Sequence, residues 1–159
     1  MISVHEPEPI TRAAAVASLP RSTPRNLLEA VSRYRAILTK VTQQAAQEDA
    51  PTVASYLGLS MTNYYIKRRG ERPFNYADVA RLVERYGNDD DRAELQTFFK
   101  ARDGLYSWLQ NSPIPLVEFR RLLGLQHYRD LARRGTHPDT WRLDDLEKIG
   151  QFLAQVGQL

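Results

Sequence analysis

The sequence predicts an all-α fold, and three observations lead to that prediction. Apolar residues recur at spacings of three and four over several long segments, as they do along one face of an α-helix. Most glycines and prolines fall between these segments, at positions where they would end or begin helices. No segment shows the strict alternation of apolar and polar residues that is typical of a β-strand.

The first half of the chain divides into an arm and four helices. Residues 1–24 contain four prolines and little periodicity, and we expect a flexible N-terminal arm there. A long amphipathic helix is expected from residue 25 to about residue 47. A short helix at 51–57 is then broken by Gly58, and a second one, capped by Ser60, ends at Gly70. Asn75 begins a fourth helix, which ends at Gly87.

The second half repeats this order of elements. Asp89, Asp90 and Asp91 suit the positive N-terminal end of a long helix that stops near residue 111. Residues 116–123 form a short helix ended by Gly124, and 126–134 form another, ended by Gly135. A last amphipathic helix begins near residue 143.

Matching motifs indicate that the two halves are copies of one helical unit. Leu-Gly-Leu occurs at 57–59 and at 123–125, Arg-Arg-Gly at 68–70 and at 133–135, and an Asp followed by an apolar residue at 78–79 and at 145–146. The shared order is harder to attribute to chance than any single match. We therefore predict a first domain at 25–88 and a second, degenerate domain at 89–159.

Composition excludes several classes of protein. There is no cysteine, which excludes disulfides, thiolate zinc sites and cysteine nucleophiles. No run of 18 apolar residues is present, so no transmembrane helix and no membrane partner are expected. The acidic N-terminus lacks the features of a secretory signal, and we expect a cytoplasmic protein.

Catalysis and metal binding are not expected. None of the three histidines, His5, His127 and His137, is spaced to share a metal with another ligand. No glycine-rich loop follows a strand, and the carboxylates cluster where helices begin, so that capping explains them. We therefore predict a protein that is not an enzyme and has no cofactor.

Residues 53–73 carry a resemblance to a known family. Val53-Ala54, Leu57-Gly58-Leu59-Ser60, Tyr64 and Arg69-Gly70-Glu71-Arg72-Pro73, followed by an apolar helix from Val79 to Tyr86, resemble the phage-repressor, Cro-like (Xre) helix-turn-helix family. The spacing of twelve from Gly58 to Gly70 is the one that this family uses. The resemblance implies a DNA-binding protein whose second short helix lies in the major groove of double-stranded DNA.

Specific residues follow from this resemblance and from the placement of charge. In the first copy the expected base-reading residues are Met61, Thr62, Asn63 and Tyr65, and in the second Gln126 and Arg129. The net charge is +3, and the basic residues gather around the ends of the two second helices. The expected phosphate contacts are Ser60, Lys67, Arg68, Arg69, Arg72, Arg133 and Arg134.

Two questions stay open from the sequence. Arg120 stands where Ala54 stands in the first copy, so the second copy is a relic, a dimerisation surface or a second DNA reader. The leading prediction is a repressor-like regulator that binds DNA, with a homodimer as one arrangement. The alternatives are a protein-interaction adaptor or antitoxin-type subunit, with docking faces at 25–47 and 92–110, and a phage packaging or replication accessory protein.

Overall fold

The predicted all-α fold is confirmed. A computed structural model describes residues 26–157, and over that range it contains helices and turns but no strand. The helices are α1 (Leu27–Ala45), α2 (Ala50–Leu57), α3 (Met61–Arg68), α4 (Tyr76–Tyr86), α5 (Asp89–Asn111), α6 (Leu116–Leu122), α7 (Tyr128–Thr136) and α8 (Leu143–Gly157), with a 3-10 turn at Pro138–Thr140. No helix in this range is long and apolar enough to cross a membrane. The predicted arm at 1–24 lies outside the described residues.

The described chain packs as two compact units. One spans 29–100, and the other comprises 101–157 together with 26–28. The predicted boundary at 88/89 marks the start of α5, but the first turns of α5 belong with the unit at 29–100. Asp91 bonds Lys40 of α1 at 2.6 Å, and Phe98 stacks on Tyr34 with the ring centroids 4.3 Å apart. These contacts hold the first half of α5 against α1, so the division falls inside the helix.

The core of the unit at 29–100 is built from one face of each helix. The buried apolar side chains of α1 in this unit recur at helical spacing, and each of the larger ones contributes about 1.5–3 kcal/mol when removed from water. They are Val31, Tyr34, Ile37, Val41 and Ala45. Facing them are the buried side chains Val53, Ala54, Leu57, Tyr64, Val79, Leu82, Val83, Leu95 and Phe98. In the third of these turns Ile37 is buried, and its neighbour Leu38 is partly exposed.

Two helices of this unit begin with the same reciprocal cap. At the start of α4, Asp78 N–H donates to Asn75 Oδ1 at 2.7 Å, and Asn75 N–H donates back to Asp78 Oδ2 at 3.1 Å. Asn88 and Asp91 exchange the same two bonds at the start of α5. Each box satisfies amides that the first turn of a helix leaves without partners. In each box, two residues three positions apart fix the direction in which the chain enters the helix.

The unit at 101–157 is packed around aromatic and aliphatic side chains. Phe119, Leu131 and Trp141 are buried, as are Leu146 and Ile149 of α8. The phenyl rings of Phe119 and Phe152 meet edge to face at 5.8 Å. Both tryptophans of the chain, Trp108 and Trp141, belong to this unit.

Two details of α7 correct the sequence prediction. The helix runs from Tyr128 to Thr136 rather than from 126 to 134, and Gly135 lies inside it instead of ending it. A Cβ on Gly135 would overlap the ring of Tyr106 on α5. Gly135 is therefore required by close packing between two helices, a contact that no local pattern reveals.

Candidate nucleic-acid interface

A glycine turn sets α3 on α2 in the first copy. The helices are separated by three residues, 58–60, and Gly58 adopts a left-handed conformation with φ at +69°. The amides of Gly58 and Leu59 donate to the carbonyls of Ser55 and Ala54, which closes the end of α2. Ala54 is buried, as expected for a small residue where two helices meet. The predicted role of Gly58 in the turn is confirmed.

Ser60 fixes the beginning of α3. Its hydroxyl oxygen accepts a hydrogen bond from the Asn63 amide at 3.1 Å, and its backbone is extended, as an N-cap requires. The predicted cap is confirmed. The same side chain is exposed, and its hydroxyl keeps a proton to donate outward.

The outer face of α3 carries all four predicted base-reading residues of the first copy. Thr62 and Asn63 are exposed, and Met61 and Tyr65 retain 37% and 40% of their surface. The opposite face is anchored by Tyr64, which is only 2% exposed and lies beside Phe74. The helix thus shows one continuous polar and aromatic surface while its other side belongs to the core.

Lys67 is not a surface cation, and its predicted phosphate contact is wrong in this structure. Its Nζ lies 2.5 Å from Oδ2 of Asp78, and the two side chains are only 10% and 7% exposed. An ammonium paired so closely with a buried carboxylate is occupied within the fold. Lys67 therefore connects the last turn of α3 to the first turn of α4, where Asp78 also caps the helix.

The remaining basic residues of this region do lie on the surface. Arg68, Arg69 and Arg72 are exposed, and Arg69 forms an exposed pair with Glu71 at 3.2 Å. Neither Arg68 nor Arg72 has a carboxylate partner among residues 26–157. Three positive side chains therefore surround the C-terminal end of α3.

Arg81 of α4 is a cation that the sequence reasoning missed. Its Nη1 would lie 3.5 Å from a Cβ placed on Gly58, so the guanidinium sits beside the turn between α2 and α3. The Tyr56 hydroxyl donates to the Arg81 carbonyl at 2.9 Å, which ties α2 to α4 at this point. Arg81 lies more than twenty residues after this turn in the sequence, and only the packing of α4 brings it there.

A second set of contacts holds α4 against the connection between α1 and α2. The Tyr86 hydroxyl donates to Glu48 at 2.5 Å, and Arg85 pairs with the same carboxylate at 3.1 Å while lying over the Tyr56 ring. Burial, reinforced by the neighbouring Glu48 carboxylate, raises the pKa of Tyr86 to about 12. The cluster therefore joins the last turn of α4 to α2 and to the segment that precedes it.

The turn of the second copy is longer and is bridged by an arginine. Five residues, 123–127, separate α6 from α7, and Gly124 is left-handed with φ at +67°. Arg120, which stands where Ala54 stands in the predicted first copy, contacts this turn. Its Nη1 donates to the carbonyls of Leu125 and Gln126 at 3.2 Å, and its guanidinium lies over the Tyr128 ring. The arginine that replaces Ala54 therefore supports a widened turn.

Arg134 lies in a buried ion pair like that of Lys67. It pairs with Asp145 at 3.2 Å, and the two side chains are 12% and 10% exposed, so its predicted phosphate contact is wrong in this structure. Arg134 and Asp145 are eleven residues apart, as are Lys67 and Asp78. By its contacts Arg134 resembles Lys67 and not Arg69, with which the predicted Arg-Arg-Gly match pairs it.

The other predicted residues of the second copy are accessible. Gln126, Arg129 and Arg133 are all exposed, and Tyr128 beside them is one of the most exposed large apolar side chains of the described chain. The start of α7 lacks a side-chain cap, in contrast to Ser60 at the start of α3. The second copy thus has an exposed helix face, as the first does, but its helix begins without a side-chain N-cap.

The fold and this geometry define the class of the chain as an all-α protein with two short exposed helices, α3 and α7, each following a glycine turn. Within residues 26–157, no group of three or more acidic or histidine side chains could hold a metal ion. Comparison with known proteins gives no matching family model, no similar curated protein and no similar solved structure.

Proposed function

We propose that this chain binds double-stranded DNA in a sequence-specific way, as a repressor-like regulator, with α3 in the major groove. One observation carries the proposal. A short helix held by a glycine turn, a serine cap and a buried ion pair exposes a continuous face of hydrogen-bonding residues with three arginines at its end. A rigid, exposed helix of this kind is what major-groove recognition requires.

The side chains on this face have suitable chemistry for base edges. The Asn63 carboxamide can pair with the N6 and N7 positions of adenine through two hydrogen bonds. Met61 and the methyl group of Thr62 can contact the methyl group of thymine. Arg68, Arg69 and Arg72 would contact phosphates and fix the orientation of α3, without selecting a sequence. Arg81 adds a fourth cation beside the turn.

The salt dependence of binding tests the phosphate contacts. Anisotropy of a labelled random duplex is measured from about 50 to 200 mM salt, where each phosphate contact contributes about 0.9 to the slope of log affinity against log salt. Neutralising Arg68 and Arg69 together with glutamine should lower that slope by about 2. Lys100→Gln with Lys148→Gln removes two charges elsewhere and is the matched control. Undetectable binding at low salt, or equal slopes for both pairs, would refute the proposal.

Selection of bound sequences from a random pool tests base reading. The wild-type chain should enrich a discrete motif, and Asn63→Ala should relax the preference at one position, with a loss of about 1–3 kcal/mol against the preferred base. The same selection with Arg129→Ala shows whether α7 reads a second position. A pool that stays random with the wild-type chain contradicts sequence-specific recognition.

Protein docking on the same face is the second candidate. Met61 and Tyr65 are four residues apart on α3, and both are large apolar side chains left exposed. Apolar and aromatic residues of this kind are enriched in the centres of protein interfaces. Sedimentation over a range of concentrations distinguishes the two: a homodimer that is lost in Met61→Glu favours docking, and a monomer that binds duplex DNA favours the first proposal.

A further inference from the structure

A cavity lies on the inner side of α3, within the unit at 29–100. Its volume is about 220 Å³, and it opens between the end of α1, the second half of α3, Phe74 and the middle of α4. The side chains that define its chemistry are Thr42, Ala45, Tyr64, Arg68, Phe74 and Leu82. An apolar cavity of about 150 Å³ is sufficient to hold benzene, so there is space for one ring and a short substituent.

Tyr64 gives this cavity a hydroxyl group without a protein partner. The residue as a whole is 2% exposed, and its hydroxyl makes no hydrogen bond within residues 26–157. The hydroxyl oxygen is not fully buried, so it faces the opening of the cavity, where a ligand that accepts its proton would replace water. Burial raises the pKa of the Tyr64 phenol, opposed by the charge of Arg68, so the hydroxyl is protonated and able to donate at neutral pH.

Arg68 supplies a positive charge at the same cavity. It is exposed and has no carboxylate partner among the described residues, unlike Lys67 next to it. A guanidinium presents several donors in one plane, which matches the two oxygens of a carboxylate. Thr42 already donates its hydroxyl proton to the Leu38 carbonyl at 2.7 Å, so it can only accept from a ligand.

We propose that this cavity binds a small carboxylic acid with an apolar body. The carboxylate lies against the Arg68 guanidinium and accepts the Tyr64 hydroxyl proton, and the apolar body packs on Ala45, Phe74 and Leu82. The volume of the cavity suits the apolar body of a single-ring or short branched acid. The negative charge of the carboxylate, which pairs with Arg68, distinguishes this ligand from neutral molecules of the same shape.

Titration of the full chain with 3-phenylpropionate, followed by amide NMR shifts, tests the site. Shifts should concentrate on residues 42–46, 64–68, 74 and 82, and the neutral 3-phenylpropionamide should bind about tenfold more weakly. Arg68→Gln should weaken the acid about tenfold, and Tyr64→Phe, which keeps the ring, about fivefold. Arg72→Gln removes a neighbouring exposed charge outside the cavity and should leave the affinity unchanged.

Three results would overturn the proposal. They are the absence of saturable shifts at these residues, equal affinity for the acid and the amide, and equal loss in Arg68→Gln and Arg72→Gln. Unchanged spectra of the free variants establish that each is folded. The titration contains no DNA, so its outcome is independent of the proposed function.

Discussion

Replacing Asp78 with asparagine tests whether the buried Lys67 ammonium depends on its carboxylate partner. The two atoms lie 2.5 Å apart, and both side chains are almost fully removed from solvent. Breaking such a pair costs about 3–5 kcal/mol, because one charge is left buried without a counterion. Asparagine keeps an oxygen that can accept the Asn75 amide proton, so the helix cap is largely preserved. The lysine stem can extend towards water, and we therefore expect the lower end, about 3 kcal/mol.

Urea unfolding followed by far-UV circular dichroism measures this loss. The matched control is Glu71→Gln, which breaks the exposed pair with Arg69 and should cost less than about 0.5 kcal/mol. Adding Lys67→Met completes a double-mutant cycle, and the coupling energy between Lys67 and Asp78 should be at least about 1.5 kcal/mol. A loss below about 1 kcal/mol with no coupling would refute the buried pair and return Lys67 to the set of phosphate contacts.

The remaining predictions concern packing and pH. Gly135→Ala should destabilise the chain by about 1–2 kcal/mol in the same unfolding assay, since the new methyl group overlaps the Tyr106 ring. Gly104→Ala places its methyl group at a helical position with no other atom within 4 Å, so it should instead stabilise the chain by about 0.5–1 kcal/mol, and a loss there would contradict the packing described. Between about pH 10 and 12 the folded state holds the Tyr86 proton more tightly than the unfolded state, so stability falls as pH rises through this range. Tyr86→Phe should show a smaller fall over that range, because its bond to Glu48 is already absent, and an equal fall would exclude Tyr86 as the cause.

Local signals explain what the sequence predicted correctly. Gly58 ends α2 and Ser60 caps α3 because each acts on backbone groups within a few residues of itself. The same holds for the Asn75 cap and for the apolar face of α1. These interactions join residues that are only a few positions apart, so a single sequence is sufficient to predict them.

Partners distant in sequence explain what was missed. The sequence predicted Lys67 and Arg134 to be surface cations because the carboxylates that pair with them lie eleven residues later, in the next helix. The sequence predicted Gly135 to end a helix. Its actual role depends on Tyr106, which belongs to another helix and whose ring leaves no room for a side chain at position 135. The turn at 123–127 is longer than the turn at 58–60, so matching the two Arg-Arg-Gly motifs pairs the exposed Arg69 with the buried Arg134. Lys67 and Arg134 are thus the predicted phosphate contacts that the structure places in buried ion pairs.

The position of the two indole rings has a practical consequence. Trp108 and Trp141 both lie in the unit at 101–157, and the Arg134 guanidinium stands 5.6 Å from the Trp141 ring centroid. Intrinsic emission at long wavelength therefore reports on that half alone, while the other half, which carries α3, is optically silent there. Tyr65→Trp would add emission from the silent half, and the difference between the melting curves of this variant and of the unsubstituted chain would report on that half.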